Sequence, residues 1–458
     1  MLSYISTTLY WLGFFLKKNQ AAIRTIQWCV IAFYLIFLII PAFMPIPPFD
    51  AYIFSNLALL SKFIFWGIWW PFVILSVLIL GRFWCGIFCP EGALAELTSS
   101  KFGMGKTIPR WIKWRGWPLV AFSLTTIYGQ LISVYDYAKP ALLILGGSTI
   151  FAMVISYLYG KRGTRIWCKY LCPVNGVFNL ISRLAPLSYK VDEDKWSSYK
   201  GKSPKDPQCA PMINLHQLKG VSGCHMCGRC SGFKDSIKLE PRSVNEEIVK
   251  YGFFKTTSWD RHLLLFGMIS LALGAFTWTK NPNFILYKQT LGTWLVNNNI
   301  FWPLNENAPW WILTNYPSIR DSFNWLDGFC LITYIMAHCL ILGGFLNLII
   351  YICYRISNKK ITINHFAMSL IPMAFAVLFL GLSATSIKLL NNANINIPYT
   401  NLWRGIILTI SCIWSLYLAN AILKYYKIFV QKRIIILAVF SIDIATITAI
   451  YLYMFWLW

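Results

Sequence analysis

The chain has 458 residues, of which 57% are hydrophobic and only 13% charged, a balance that excludes an ordinary soluble domain. Its net charge of +24 would suit a nucleic-acid binder, but the placement of the positive residues along the chain excludes that class.

Residues 1–26 open with an apolar stretch, Met1 to Leu16, that ends at Lys17-Lys18 without a small-residue cleavage site. They predict a helix lying in the membrane interface. Nine apolar runs follow, at about 27–46, 62–80, 117–135, 140–160, 262–279, 327–353, 366–387, 404–423 and 434–456. Each approaches the roughly 20 residues that cross about 30 Å of hydrocarbon. With loops alternating in side, 34 of the 41 Lys and Arg residues share one side; the other keeps Lys62, Lys139, Lys280, Lys288, Arg320, Lys388 and Arg404. That positive-inside pattern predicts a cytoplasmic N-terminus and large loop, with the C-terminus facing out. The charge is therefore a topology signal with attraction for anionic lipid, not a nucleic-acid surface.

Residues 27–160 read as membrane hairpins carrying the first of two similar cysteine segments. Gly81-Arg82-Phe83-Trp84-Cys85-Gly86-Ile87-Phe88-Cys89-Pro90 is echoed by Thr164-Arg165-Ile166-Trp167-Cys168-Lys169-Tyr170-Leu171-Cys172-Pro173, with Arg, Trp, both Cys and Pro in register. Two helices precede each copy, so both emerge on one face, as in a parallel repeat about the membrane normal. Residues 161–260 form the long polar stretch, a small cytoplasmic segment containing the second copy. Residues 261–458 return to five membrane helices, with Trp294, Trp302, Trp310, Trp311 and Trp325 in an outside segment suited to a headgroup interface. The expected fold is an all-α polytopic membrane protein of about nine transmembrane helices, with a helical-hairpin repeat and a small ferredoxin-like iron–sulfur segment.

Five of the thirteen cysteines, Cys29, Cys330, Cys339, Cys353 and Cys412, lie in or beside spans and read as small hydrophobes. The other eight fall on the cytoplasmic side, where reducing conditions favour metal over disulfide. Cys224-His225-Met226-Cys227-Gly228-Arg229-Cys230 sets three thiolates at every third position, the spacing that wraps a cubane. Structural zinc more often uses two separated pairs. A fourth ligand is needed, and Cys209 is the remaining cytoplasmic thiol, with His225 or His216 as weaker alternatives. Cys85, Cys89, Cys168 and Cys172 make a second four-thiol set for another cluster. A thiol–disulfide redox site, transient copper binding or simple packing are the alternatives there. Arg82 and Arg165 place positive charge where a thiolate cluster is anionic.

The doubled C-x3-C-P after membrane hairpins, followed by C-x2-C-x2-C, resembles the bacterial NapH/NosR/CcoG-type membrane polyferredoxins over roughly residues 25–245. The resemblance implies an inner-membrane protein with 4Fe–4S ligands at Cys85, Cys89, Cys168, Cys172, Cys224, Cys227 and Cys230. It implies electron transfer between a quinol or cytoplasmic donor and a periplasmic or membrane respiratory partner, a redox component rather than a stand-alone enzyme. The alternative is an accessory factor that reduces or handles copper for a respiratory oxidase. Family members usually carry two full ferredoxin runs, whereas this chain has one incomplete run.

In the last five helices two ionisable residues stand out, since burial in a span is costly. His338 is a candidate haem, copper or quinone contact, or a partner for a neighbouring backbone carbonyl. Asp443 is a candidate proton-path residue. A single deep histidine argues against a full haem-b cytochrome, and quinone and haem lack further support in the sequence.

Overall fold

The computed structural model describes residues 2–48, 51–201, 206–218 and 220–457, so Met1 and Trp458, the ends of the first and last expected segments, lie outside it. Seven helices among the described residues are long and apolar enough to cross a membrane: Gln20–Phe43, Leu57–Leu80, Ala138–Tyr159, Trp325–Ile356, Ile363–Asn392, Thr400–Tyr425 and Val430–Leu457. Ser258–Thr277 and Pro282–Asn297, bent by 71° at their break, make an eighth candidate. The all-α polytopic fold is therefore present, with seven or eight helices long enough to span among the described residues where about nine are expected. The run at 117–135 forms a helix of only 15 residues, Trp117–Leu131, about 22 Å at 1.5 Å per residue. It ends where Ser133 takes a left-handed φ of 50° and Val134 N–H turns back to the Gly129 carbonyl. The segment expected as an outside loop also begins with a helix, Pro282–Asn297, capped by the Asn281 side chain and started by Pro282.

The chain divides into two units. The first gathers residues 1–37, 72–121 and 147–256 and holds Cys85, Cys89, Cys168, Cys172, Cys209, Cys224, Cys227 and Cys230. Its first helix, α1 (Leu2–Lys18), turns Leu9 inward against Tyr189, Val221, Cys224 and Leu239, and leaves Trp11 and Phe15 exposed. Burial of a leucine of this kind contributes roughly 2 kcal/mol. The helix α2 (Gln20–Phe43) follows directly. Strand β1 (Leu187–Val191) pairs antiparallel with β2 (Ile237–Pro241), Tyr189 opposite Leu239, and this ribbon brackets the run from Cys209 to Cys230. The helix Pro90–Lys101 packs along Gly147–Tyr159, where small residues let the backbones close. A Cβ on Gly103 would stand 2.2 Å from the Gly160 carbonyl oxygen, and Gly105 N–H donates to that oxygen at 3.0 Å.

The second unit comprises residues 38–71, 122–146 and 257–458. Its most buried helix is Ile363–Asn392, against which the neighbouring helices Thr400–Tyr425 and Trp325–Ile356 pack directly or through its short lead-in. Tyr451 donates its hydroxyl to the Val377 carbonyl of that helix. Trp294, Trp302 and Trp311 are exposed, as interfacial aromatics should be.

Candidate iron–sulfur site

The two C-x3-C-P copies have one backbone design. Each follows a glycine with positive φ that turns the incoming chain, Gly81 at 67° directly before Arg82 and Gly163 at 76° two residues before Arg165. A short helix then carries the first cysteine, Phe83–Ile87 in one copy and Ile166–Tyr170 in the other. It closes identically: Phe88 and Cys89 N–H both bond the Trp84 carbonyl at 2.9 and 3.0 Å, while Leu171 and Cys172 N–H both bond Trp167 at 2.9 and 3.0 Å. The sequence repeat is thus a structural repeat down to individual hydrogen bonds.

The arginines are exchanged between copies. Arg165, 1% exposed, donates to the Cys85 carbonyl and to Glu96, 2.9 Å from Nε and 2.7 Å from Nη2. Arg82, 4% exposed, donates to the Asn175 side chain at 2.7 Å, just beyond Cys172-Pro173, and to the Ser222 carbonyl at 3.2 Å. Each guanidinium therefore fastens its own copy to a neighbour. Glu96 is also gripped by Arg229 of the Cys227-Gly228-Arg229-Cys230 turn, so one carboxylate ties together the second copy and the C-x2-C-x2-C run.

The eight thiols form two quartets. Cys89, Cys168 and Cys172 each feel the charge of Cys85, and Cys89 and Cys172 also feel Cys168. Cys209, Cys224, Cys227 and Cys230 line one cavity together, and the Cys230 thiol feels the other three. Cys209, chosen from sequence as the missing fourth thiol, therefore stands with the other three, whereas His216 is exposed beside the Trp196 ring. Burial pushes the Cys168 thiol up to about 12 against the pull of Arg165, and the Cys224 thiol up to about 12 with help from Cys227. Cys89, Cys172 and Cys230 are also raised, first by burial. Four thiolates crowded into such a place need a compensating positive core, which the irons of a cluster supply.

Local donors prepare the sulfurs. Cys89 caps the helix Pro90–Lys101, and its Sγ accepts from Gly92 N–H at 3.4 Å, placing that sulfur at a positive helix end. Cys224 Sγ accepts from Met226 N–H at 3.3 Å in a turn where Met226 and Gly228 have φ of 53° and 81°. Among the described residues no three His, Cys, Asp or Glu side chains converge on a single ion position.

The quartets are neighbours through backbone contact. Gly86, between Cys85 and Cys89, lies against the carbonyl of His225, and a Cβ there would stand 2.0 Å from that oxygen. The His225 ring is 2% exposed and neither ring nitrogen has a hydrogen-bond partner among the described residues. Burial first, then Arg82, Arg165 and Arg229, hold it well below the usual histidine range, so it is neutral with one N–H to donate. An unpaired buried donor beside a site rich in sulfur is what a cluster's sulfides would satisfy. The two quartets therefore fit iron–sulfur clusters, which would supply one-electron redox chemistry at this position.

A family profile for a 4Fe–4S binding domain matches residues 63–109 and 143–190, one C-x3-C-P copy in each segment. The chain carries a 4Fe–4S binding domain. The match falls on the doubled motif, and the C-x2-C-x2-C run lies outside it. The chain is similar to the candidate electron transport protein YccM of Escherichia coli (strain K12), 23% identical over 44% of this chain and 62% of that protein. It is also similar to an uncharacterized protein of Methanocaldococcus jannaschii, 24% identical over 34% of this chain and 63% of that protein. The chain thus spans less than two thirds of the length of either relative. No solved structure matches it.

The segments matched by the 4Fe–4S profile contain Cys85, Cys89, Cys168 and Cys172, and the residues that support the cysteine segments carry no sequence signal. Gln20 donates to the Cys227 carbonyl at 3.1 Å and accepts from Arg229, and Gln27 donates to the Gly86 carbonyl at 3.2 Å. Lys17 donates to the Ser231 carbonyl at 2.7 Å. Glu247 holds the loop before Cys224 by accepting Val221 N–H at 2.8 Å, while Arg242 holds Glu247. The two intramembrane candidates sit apart in the second unit. His338 Nδ1 lies 3.2 Å from the Ser270 carbonyl, the backbone-partner alternative, in a stretch, Leu263–Leu271, wound as a π-helix that loosens the usual carbonyl pairing. Asp443 is fully buried and neither carboxylate oxygen has a hydrogen-bond partner among the described residues.

Proposed function

We propose that the protein is a membrane-bound electron carrier with two 4Fe–4S clusters. One is held by Cys85, Cys89, Cys168 and Cys172, and the other by Cys209, Cys224, Cys227 and Cys230. The observation that carries this reading is the contact of Gly86 with the His225 carbonyl, which sets the two quartets side by side. Adjacent clusters suit sequential one-electron transfer. Electrons enter from a quinol or a cytoplasmic donor and leave to a periplasmic or membrane-bound respiratory partner. The similarity to YccM supports electron transport as the general role.

The protein belongs in a bacterial inner membrane, with the N-terminus and both clusters cytoplasmic. With the seven long spans, the bent pair and the 15-residue helix taken as one crossing each, the one-sided distribution of Lys and Arg supports a periplasmic C-terminus. The test is iron and acid-labile sulfide per chain on anaerobically purified protein, with EPR spectra before and after dithionite. About eight irons and two reducible signals support the proposal, since each cubane holds four. About four irons, or Cys227→Ser membranes that keep full electron flow, would overturn it.

A further inference from the structure

Beside the clusters, in the same unit, lies a cavity of about 380 Å³ to which the electron-transfer reading assigns no role. Its lining carries the exposed cations Arg24, Lys101 and Arg162. Among the described residues none of the three makes an ion pair with an acid. The apolar part of the lining comes from Trp28, Ile31 and Leu97, and the Glu96 carboxylate, which also lines the cavity, is already taken up by Arg165 and Arg229. Arg24, Trp28 and Ile31 follow one another at helical spacing on α2, so the lining runs from charged to apolar as that helix enters its membrane span. Trp28, 52% exposed, stands at the changeover.

We propose that this cavity is a binding site for an acidic phospholipid, its phosphate held by Arg24, Lys101 and Arg162 and its glycerol and upper acyl carbons lying along Trp28, Ile31 and Leu97. Three cations without acidic partners call for an anion, and a neutral headgroup leaves them uncompensated. A free phosphate would satisfy the charges but leave the apolar lining wet. A phospholipid satisfies both, and basic pockets between membrane helices on the cytoplasmic side are built to take such headgroups. The cavity also reaches Gln20 and Gln27, whose amides hold the Cys227 and Gly86 carbonyls. A bound lipid therefore lies against the residues that position both cysteine quartets.

The experiment is native mass spectrometry of the full cluster-loaded chain, delipidated and titrated with phosphatidylglycerol, with phosphatidylcholine and inorganic phosphate as comparators. Each cation near an acidic headgroup contributes about fivefold, so the combined Arg24→Gln, Lys101→Gln and Arg162→Gln variant should lose about 100-fold in phosphatidylglycerol affinity. The same number of exposed lysines changed elsewhere, Lys359→Gln, Lys360→Gln and Lys427→Gln, should leave it within about twofold. Leu97→Trp fills the cavity with every charge intact and should also abolish tight binding, which covers the case where the triple variant fails to fold. Equal losses in the two charge-removal variants, or undiminished binding in Leu97→Trp, would overturn the site. So would inorganic phosphate displacing the lipid at equal concentration.

Discussion

Gly86→Ala is a small change aimed at the point where the two quartets meet. An added Cβ would stand 2.0 Å from the His225 oxygen, 3.1 Å from its carbonyl carbon and 3.2 Å from the Cys227 amide nitrogen. All three are backbone atoms of the cysteine turn itself. A tolerable carbon–oxygen approach is about 3.3 Å, so the motifs must separate by about 1.3 Å. Overpacking of this kind costs about 1–3 kcal/mol, while alanine in the short helix Phe83–Ile87 returns about 1 kcal/mol of propensity, leaving a net loss of at most about 2 kcal/mol. The structural effect should exceed the energetic one, because the gap opens between the clusters. The assay pairs denaturant unfolding with EPR of the dithionite-reduced protein, where neighbouring paramagnetic clusters broaden each other's signals. The expected result is a sharpened, less interacting spectrum with little loss of iron. Gly147→Ala, at the start of the helix Gly147–Tyr159 and with a Cβ that would meet nothing within 4 Å, should leave the spectrum unchanged and stability undiminished. A Gly86→Ala protein with native stability and an unaltered interaction spectrum would refute the contact.

Glu96→Gln leaves the buried Arg165 and Arg229 guanidiniums without their carboxylate, and should cost about 3 kcal/mol in chemical denaturation, the low end of the range because Glu96 keeps 17% exposure. Cys209→Ser should remove about four irons per chain, as one cubane requires, whereas Cys29→Ser, outside both quartets, should remove none in the same iron assay. Burial raises the Glu247 and Glu96 carboxyls, but arginines outweigh it, Arg242 at Glu247 and Arg165 at Glu96, so both are held below the usual range. Depressed carboxyls stabilise the fold fully above their unfolded pKa of about 4.3 and lose that contribution as pH falls through the folded values. Thermal unfolding followed from pH 7 to pH 3 should therefore show stability dropping only in the acid range, with a shallower drop in Glu247→Gln.

The cysteine sites were legible because their signal is local: thiols at fixed spacing, a proline stop and a repeated arginine. Cys209 was reached by elimination, and the structure supports the choice by lining one cavity with it and the other three. The supports were not legible, since Gln20, Gln27 and Glu96 lie 60 to more than 200 residues from the groups they hold. No periodicity marks a glutamine that reaches a distant carbonyl. The first helix was expected to lie on the membrane, and its exposed Trp11 and Phe15 suit that. Its other face, with Leu9 against the cluster-loop core, could not be separated from the same apolar pattern. The run at 117–135 is longer than its helix because hydropathy continues through a turn: Ile132 and Val134 are apolar and buried, yet they follow the end of the helix at Leu131.

The exchanged arginines explain why the motif comes doubled. In one copy alone, Arg82 would lack the Asn175 carboxamide that receives it, and the Cys85 carbonyl would lack Arg165. A buried guanidinium without partners is costly, so each half is unstable at this site without the other. The thiols follow the same logic, since two per copy cannot complete a four-iron cluster. Arg229 then extends the arrangement to the third cysteine run through the same Glu96 that receives Arg165. One carboxylate thus couples the register of both quartets, and a change that frees it should disturb the two clusters together, never one alone.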